Sequence, residues 1–348
     1  MRVRLRDVAD RAGVSVKTVS NVVNGFVHVA PDTRARVQGV LDEMGYRPNL
    51  SARGLRTGRT GVIALALPEL DNPYFAELTG FVVQAAEEKG WTVLVDQTDG
   101  LRERELLVAS GIRHQLIDGL ILSPVALGTE DLVSRGPGDI PLVLLGEKIS
   151  TGPVDHVAID NVAAARAATA HLVSQGRTRI AAIGGQPGAP SGVAHLRRRG
   201  WEDALLAAGL PTDDAWVAEV PTFRREHGAE AMATLLDRDQ RPDAVFCFND
   251  TLALGALWLL AERGVRVPEE VAVIGLDDIQ DGRFSVPRLS TVRPDKEFLA
   301  RTAVRMLGER LGDGGSALAP RDVRAGFELV VRGSTVRVPA RPAARPRG

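Results

Sequence analysis

The stretch Ser15-Val16-Lys17-Thr18-Val19-Ser20-Asn21 carries side chains that can meet the edges of base pairs. A lysine ammonium donates to guanine edges, an asparagine amide pairs with adenine, and a valine touches only a thymine methyl. A second set of residues suits a smaller partner. Asp71, Asn72, Asp160, Asn249, Asp250 and Asp277 each follow a short apolar run, with Tyr74 and Phe75 beside the first of them. Arg197 lies in a helix-length segment. Carboxylates accept pairs of hydroxyl hydrogen bonds, arginine donates two, and aromatic rings cover an apolar C–H face. Together they fit a polyhydroxylated ligand. Signs of catalysis are missing: there is no P-loop, no HExxH and no GxSxG elbow. Gly184-Gly185-Gln186-Pro187-Gly188 lacks the Lys-Ser/Thr of a phosphate loop and reads as a strand-exit turn. The histidines are few and lie outside metal spacing. The expectation is a binding protein, not an enzyme, with no cofactor and no metal.

These residues need elements to hold them. Val8, Ala9 and Ala12 share one face of a short helix that reaches Gly13. Glycine permits a sharp turn there, and Ser15 then caps a second helix whose inner face carries Val19, Val22 and Val23. Two short helices joined this way form a helix-turn-helix, whose second helix can enter the major groove. Pro31-Asp32 opens a third helix lined by Val37, Val40, Leu41 and Met44, which Gly45 ends. Arg47-Pro48-Asn49 breaks the chain before a short polar linker. From residue 61 apolar runs of strand length alternate with amphipathic segments. The strands are Val62–Leu67, Thr92–Val95, Gly119–Leu122, Leu142–Leu145, His156–Ile159, Ile180–Ile183, Trp216–Val220, Ala244–Phe248 and Val271–Ile274. The helices between them are Tyr74–Lys89, Arg102–His114, Val162–Ser174, Ala194–Ala208, Glu226–Leu236 and Leu252–Arg263. Continuous apolar strands between helices mean parallel sheets covered on both faces, with right-handed crossovers. The strands are too many for one comfortable sheet, so two similar α/β lobes are expected.

Bulk properties agree. The chain has 348 residues, 44% of them hydrophobic, enough for two or three domains. Its net charge is -1, but residues 1–60 hold 11 Lys+Arg against 5 Asp+Glu, a basic head on an acidic body. The lone Cys247 rules out an intrachain disulfide and suits a reducing cytosol. No apolar run approaches a membrane span, and the N-terminus lacks an apolar signal core, so a cytoplasmic location is expected. Arg337 to Gly348 is Pro, Arg and Ala with little apolar content, which reads as a disordered tail.

The chain resembles the lactose-repressor (LacI/GalR) family of bacterial transcription regulators over nearly its whole length. The resemblance rests on Asp7-Val8-Ala9, Gly13-Val14-Ser15, Thr18-Val19-Ser20, Val23-Asn24-Gly25, Gly45-Tyr46-Arg47-Pro48-Asn49 and Ala52-Arg53-Gly54-Leu55-Arg56. Farther on it includes Asn72-Pro73-Tyr74-Phe75, Ile159-Asp160-Asn161, Arg197-Arg198-Arg199-Gly200-Trp201, Phe248-Asn249-Asp250, Gly255-Ala256 and Ile274-Gly275-Leu276-Asp277-Asp278. The fold it implies is an all-α helix-turn-helix headpiece on an α/β core of two doubly wound parallel-sheet lobes, like a periplasmic binding protein. The expected limits are a headpiece over 1–47, a hinge over 48–60 and a core over 61–337. Within the core, one lobe takes 61–160 plus 293–322 and the other 161–292 plus 323–337.

The resemblance further implies a ligand-responsive, sequence-specific repressor of sugar-utilisation genes. It would bind a palindromic double-stranded DNA operator as a homodimer or tetramer, with a small-molecule effector between the lobes. The dimer is favoured because the C-terminal tail lacks a leucine heptad. A sugar is the first expectation for that effector, and a purine or nucleoside is the alternative; a solute-binding protein without a DNA role is a distant third. By position, Val16, Lys17 and Asn21 match varying base contacts, and Thr18, Ser20 and Asn24 match contacts to the DNA backbone. Ser15, His28, Ala52 and Arg56 join the DNA-contacting set, and Leu55 matches a leucine wedged into the minor groove. Gly54 stands where more helical residues are common, and Arg4 where many members carry a capping threonine. Phe223 matches a residue that covers the ligand, and Glu147-Lys148 stands where sugar-binding members often have Asp-Arg. Simpler readings compete at several positions. Asp160 and Asn249 could only cap helices, and Tyr74 and Phe75 could be core. Arg197 and Lys17 could belong to plain charged faces, and Leu55 could pack loosely on the core.

Overall fold

The computed structural model describes residues 3–23, 26–46, 59–110, 116–133, 135, 139–146, 149, 152–186 and 192–336. It divides into two compact units, Met1–Gly61 and Val62–Gly348. The expected hinge contacts Ala52, Leu55 and Arg56, together with Asn24, Glu147 and the C-terminal tail, lie outside the described residues.

The first unit holds α1 (Leu5–Ala12), α2 (Val16–Val23) and α3 (Pro31–Glu43). Its core is Val8, Ala9, Ala12, Val19, Val22, Val37 and Leu41, one small cluster fed by all three helices. Gly13 ends α1 with φ +64°, a left-handed turn that a side chain would strain. Ser15 Oγ then accepts the Thr18 N–H at 3.1 Å and caps α2. The start of α1 lacks a capping hydroxyl because Arg4 stands there. Asp7 compensates by accepting the Arg4 N–H at 2.8 Å, one half of a capping box.

The second unit is built from two six-stranded sheets. The first contains β1 (Val62–Leu67), β2 (Thr92–Gln97), β3 (Gly119–Leu122), β4 (Leu142–Leu145), β5 (Asp155–Ile159) and β11 (Asp322–Ala325). Its spatial order is β11-β5-β4-β3-β1-β2, and every pair is parallel. The second contains β6 (Ile180–Gly185), β7 (Val217–Glu219), β8 (Ala244–Cys247), β9 (Ala272–Leu276), β10 (Ser290–Pro294) and β12 (Phe327–Val330). Its order is β12-β10-β9-β8-β6-β7, with only the β10–β12 pair antiparallel. Strands such as β3, β4 and β8 are buried at every position, as a sheet covered on both faces requires.

The covering helices are α4 (Pro73–Glu87), α5 (Arg102–Ala109), α6 (Thr129–Val133), α7 (Asn161–Ser174), α8 (Val193–Ala207), α9 (Arg225–Leu236), α10 (Asp250–Glu262), α11 (Gln280–Phe284) and α12 (Lys296–Leu311). A Cβ on Gly255 would sit 1.9 Å from the Arg225 carbonyl oxygen, so α9 and α10 can pack at this distance only over a glycine. No helix among the described residues is long and apolar enough to cross a membrane.

The structure moves some expected boundaries. The strand expected at Trp216–Val220 is shorter, because Asp213 caps a single 3-10 turn at Asp214–Trp216 and the strand starts at Val217. The chain crosses between sheets later than expected. Residues 293–294 remain in β10 of the second sheet, and residues 323–325 remain in β11 of the first. The crossings fall at Asp295, which caps α12 through Phe298 N, and at Gly326. Asp295 N donates to Gly326 O at 3.0 Å, so the two crossing segments lie side by side.

Candidate functional site

The headpiece offers one polar face. Burying Val19 and Val22 turns the other side of α2 outward, so Ser15, Val16 and Lys17 are exposed and Thr18, Ser20 and Asn21 are half-buried. Val16 keeps 44% of its surface, so its methyls are free to meet a base. Ser15 Oγ and Thr18 Oγ1 lie 2.9 Å apart, so capping already engages both hydroxyls. His28 is exposed and meets the Phe26 ring edge-on at a centroid distance of 5.5 Å. Phe26 and Val27 are themselves exposed at 51% and 80%, two apolar side chains after α2 that the sequence reading did not single out.

In the core, a cavity of about 420 Å³ opens where the C-terminal ends of the two sheets face each other. This is where parallel α/β lobes place ligands. Asn72, Tyr74 and Phe75 reach it from the loop after β1 and the first turn of α4, and Asn72 Oδ1 caps that helix by accepting Tyr74 N at 3.1 Å. The rings of Tyr74 and Phe75 meet edge-on at 5.3 Å. From the second sheet come Arg197 on α8, Phe223 before α9, Asn249 after β8 and Asp277 after β9. Asn249 Oδ1 caps α10 through Leu252 N at 2.8 Å, so its NH2 is the group it can offer a ligand. Capping and lining the cavity are therefore compatible at Asn72 and Asn249.

Arg197 is only 7% exposed, which removes the reading of a plain charged face. Its Nε donates to Asn161 Oδ1 at 2.7 Å, its Nη1 donates to Phe248 O, and its Nη2 lies 3.8 Å from Asp277 Oδ1. The guanidinium is thus fixed at the cavity wall beside a carboxylate. Asp277 itself is buried and has φ +124°, a conformation side chains rarely adopt. Burial pushes its carboxyl up to about 6, although Arg197 and Lys296 pull the other way.

That value gives a pH prediction. The ligand-free folded protein keeps Asp277 protonated up to about pH 6, against an ordinary 3.8. The stability this group contributes is complete below 3.8 and is lost as pH rises through 6. A ligand whose hydroxyls donate to the carboxylate needs the ionised form. Its affinity, measured by calorimetry, should climb between pH 5 and about 6.5 and then level off. A flat profile would remove Asp277 from the contact.

Three expected ligand residues, Asp71, Asp160 and Asp250, do not line the cavity. Asp71 is exposed and pairs with Arg224 at 3.4 Å; Glu69, two residues earlier, lines the cavity and meets the same Arg224 at 3.5 Å. Asp160 is exposed and caps α7 through Ala163 N at 2.9 Å, while its buried neighbour Asn161 lines the cavity and holds Arg197. One step along the chain turns a side chain to another face. Asp250 is fully buried beneath the Asp277 loop, where Oδ2 accepts Ile279 N at 3.0 Å and Oδ1 accepts the Thr291 hydroxyl at 2.6 Å. Burial, with Asp277 nearby, pushes it up to about 8. The sequence reading passed over Ser123 and Gln186, which also line the cavity. Both follow strands, so the same rule finds them. Among the described residues no group of three His, Cys, Asp or Glu side chains is placed to hold a metal ion.

Comparison with known proteins agrees with this geometry. Residues 4–49 match the family model described as bacterial regulatory proteins, lacI family, and residues 169–335 match a periplasmic binding protein-like domain. The HTH-type transcriptional regulator DegA of Bacillus subtilis (strain 168) is 35% identical over 343 residues, covering 96% of this chain and 98% of its own. The solved complex of the transcriptional regulator CelR with cellobiose is 32% identical, with a TM-score of 0.69 over 96% of this chain and 100% of its own. The lac repressor dimer bound to operator and the anti-inducer ONPF is 26% identical, with a TM-score of 0.82 over 97% and 100%. The chain belongs to the lacI family of bacterial regulatory proteins and is a DNA-binding transcriptional regulator with a helix-turn-helix headpiece and a periplasmic-binding-protein-like core.

Proposed function

We propose that this regulator is a homodimeric repressor acting in the cytoplasm, and that a sugar bound between its sheets controls its grip on a twofold-symmetric operator. The observation that carries the effector reading is the Arg197–Asp277 pair sharing one cavity with Tyr74, Phe75 and Phe223. It joins a hydroxyl acceptor and a hydroxyl donor to rings that cover C–H faces. The cavity, about 420 Å³, falls within the ~300–1,000 Å³ of small-molecule sites. Similarity to a cellobiose complex supports the same class. On the DNA side, Lys17, Asn21 and Val16 read bases while Ser15, Thr18, Ser20 and His28 position the helix on phosphates. No bond is made or broken in this scheme. The sugar shifts the equilibrium only by its differential affinity for the DNA-competent and incompetent forms.

The test selects operators from a random duplex library with the full chain, with and without D-ribose, D-glucose, cellobiose, adenine and guanosine. A palindromic consensus whose recovery responds to one of the sugars is the expected result. Enrichment of no symmetric sequence would sink the operator reading. A response to adenine or guanosine alone would replace the sugar by a purine.

A further inference from the structure

A buried cation behind the cavity is not used by the ligand chemistry above. Lys296, the first residue of α12, is 6% exposed. Its Nζ donates to Asp277 O at 2.8 Å and to Asp278 O at 3.4 Å, and it forms an ion pair with Glu77. It also stands 5.7 Å from the centre of the Tyr74 ring. The second oxygen of Glu77, Oε1, accepts Gln280 N at 2.9 Å. Tyr74 and Glu77 belong to α4, which covers the first sheet. Asp277 and Gln280 belong to the chain leaving β9, in the second sheet. One ammonium and one carboxylate thus join the two walls of the cavity, each just behind a residue that lines it.

Stability alone is a poor reason for such a pair. Lys296 is taken out of water, while Glu77 keeps 28% of its side-chain surface. Burying the ammonium has a cost that an apolar residue of similar volume would avoid. A buried ammonium with partners on both walls does favour one geometry, because moving either wall breaks its hydrogen bonds to Asp277 O, Asp278 O and Glu77. The geometry here is demanding: Asp277 is held at φ +124° with its carbonyl on the lysine.

We propose that Lys296, through Glu77, is a positioning residue that locks the Tyr74 wall and the Asp277 wall of the cavity into one register. It touches no ligand itself. The proposal rests on reading the cavity as the effector site, and deepens it: the pair decides whether the ring and the carboxylate face one molecule together. Lys296 also draws the Asp277 carboxyl down against the effect of burial, so the two residues are coupled electrostatically as well.

Hydrogen exchange on the full-length protein tests the link without any effector. In Lys296→Met, exchange should rise about tenfold or more in two separate stretches, 74–79 and 277–281. The remaining core should keep its protection, and Lys296→Arg should recover most of the loss in both stretches. Glu77→Met, which removes the partner from the other wall, should reproduce the same two-sided pattern and serves if Lys296→Met fails to fold. A rise in one stretch only, a uniform rise across the core, or no rescue by arginine would overturn the proposal. Cellobiose and D-ribose are then added to the parent protein. Failure of both to protect either stretch, with the two-sided pattern intact, would count against the sugar reading and leave the link standing.

Discussion

Asp277→Ala will abolish the response to the effector and leave operator binding intact. The carboxylate lies in the cavity wall, buried, 3.8 Å from the Arg197 guanidinium. Removing it takes away an acceptor for two hydroxyls and leaves Arg197 without its nearest cavity-side anion. Hydrogen bonds to charged groups contribute about 1.5–3 kcal/mol each, so a loss of roughly 3–6 kcal/mol is expected for the two, about 100- to 20,000-fold in Kd. Alanine at φ +124° adds backbone strain, so Asp277→Asn is the necessary companion. Asparagine keeps an acceptor and removes the charge, and should fall between the parent and alanine. Calorimetry with the responding sugar reads the first effect, and gel shift on the selected operator reads the second. An unchanged dose response in Asp277→Ala would move the effector to another site. Loss of operator binding at full stability would mean that Asp277 acts on the DNA-competent form and not on the ligand.

The pattern of what was legible follows from distance along the chain. The headpiece is readable because its signals are local: Gly13, Ser15 and the valines at 19, 22 and 23 all fall within eleven residues. The cavity is readable at the level of loops, since polar residues after parallel strands face the ligand region wherever the strand ends are correctly placed. Side-chain direction at the next position is a finer matter. Asp160 and Asn161 are adjacent, yet one faces solvent as a helix cap and the other reaches into the cavity. Glu69 and Asp71, two positions apart, likewise divide between the cavity and solvent. The return of the chain is harder still. Strand β11 joins the first sheet beside β5, more than 160 residues from it in sequence, and no local pattern specifies such a partner. The Lys296–Glu77 pair spans 219 residues and is invisible to periodicity for the same reason.

That long-range return depends on one carboxylate, and the second large effect is expected there. Asp155, in β5, has a fully buried side chain gripped by two arginines. Arg310 Nε and Nη2 donate to its two oxygens at 2.9 Å each, and Arg321 donates through its main-chain N and Nη2, also at 2.9 Å. Arg310 reaches on to Ala319 O at 2.9 Å, so the whole loop from α12 to β11 is organised around this anion. Burial alone would raise the carboxyl, but the hydrogen bonds from Arg310 and Arg321 hold it down at about 2. Asp155→Ala leaves Arg310, 13% exposed, facing an empty site, while Arg321, 34% exposed, keeps Glu309. Breaking a buried pair costs about 3–5 kcal/mol, and the partly solvated Arg321 places this loss near the lower end. At about 2–4 °C per kcal/mol for a large domain, Tm should drop by roughly 10 °C. The acid behaviour should change in step. A carboxyl depressed from 3.8 to about 2 contributes stability that is complete above pH 3.8 and lost as pH falls toward 2. Urea titrations should therefore show parent and Asp155→Ala far apart at pH 7 and converging near pH 2. A gap below about 1 kcal/mol at pH 7 would show that the loop holds by its apolar contacts. The two substitutions then separate the layers of the molecule: at Asp277 ligand response is lost from a folded protein, whereas at Asp155 every activity falls together, because the edge of the first sheet no longer holds.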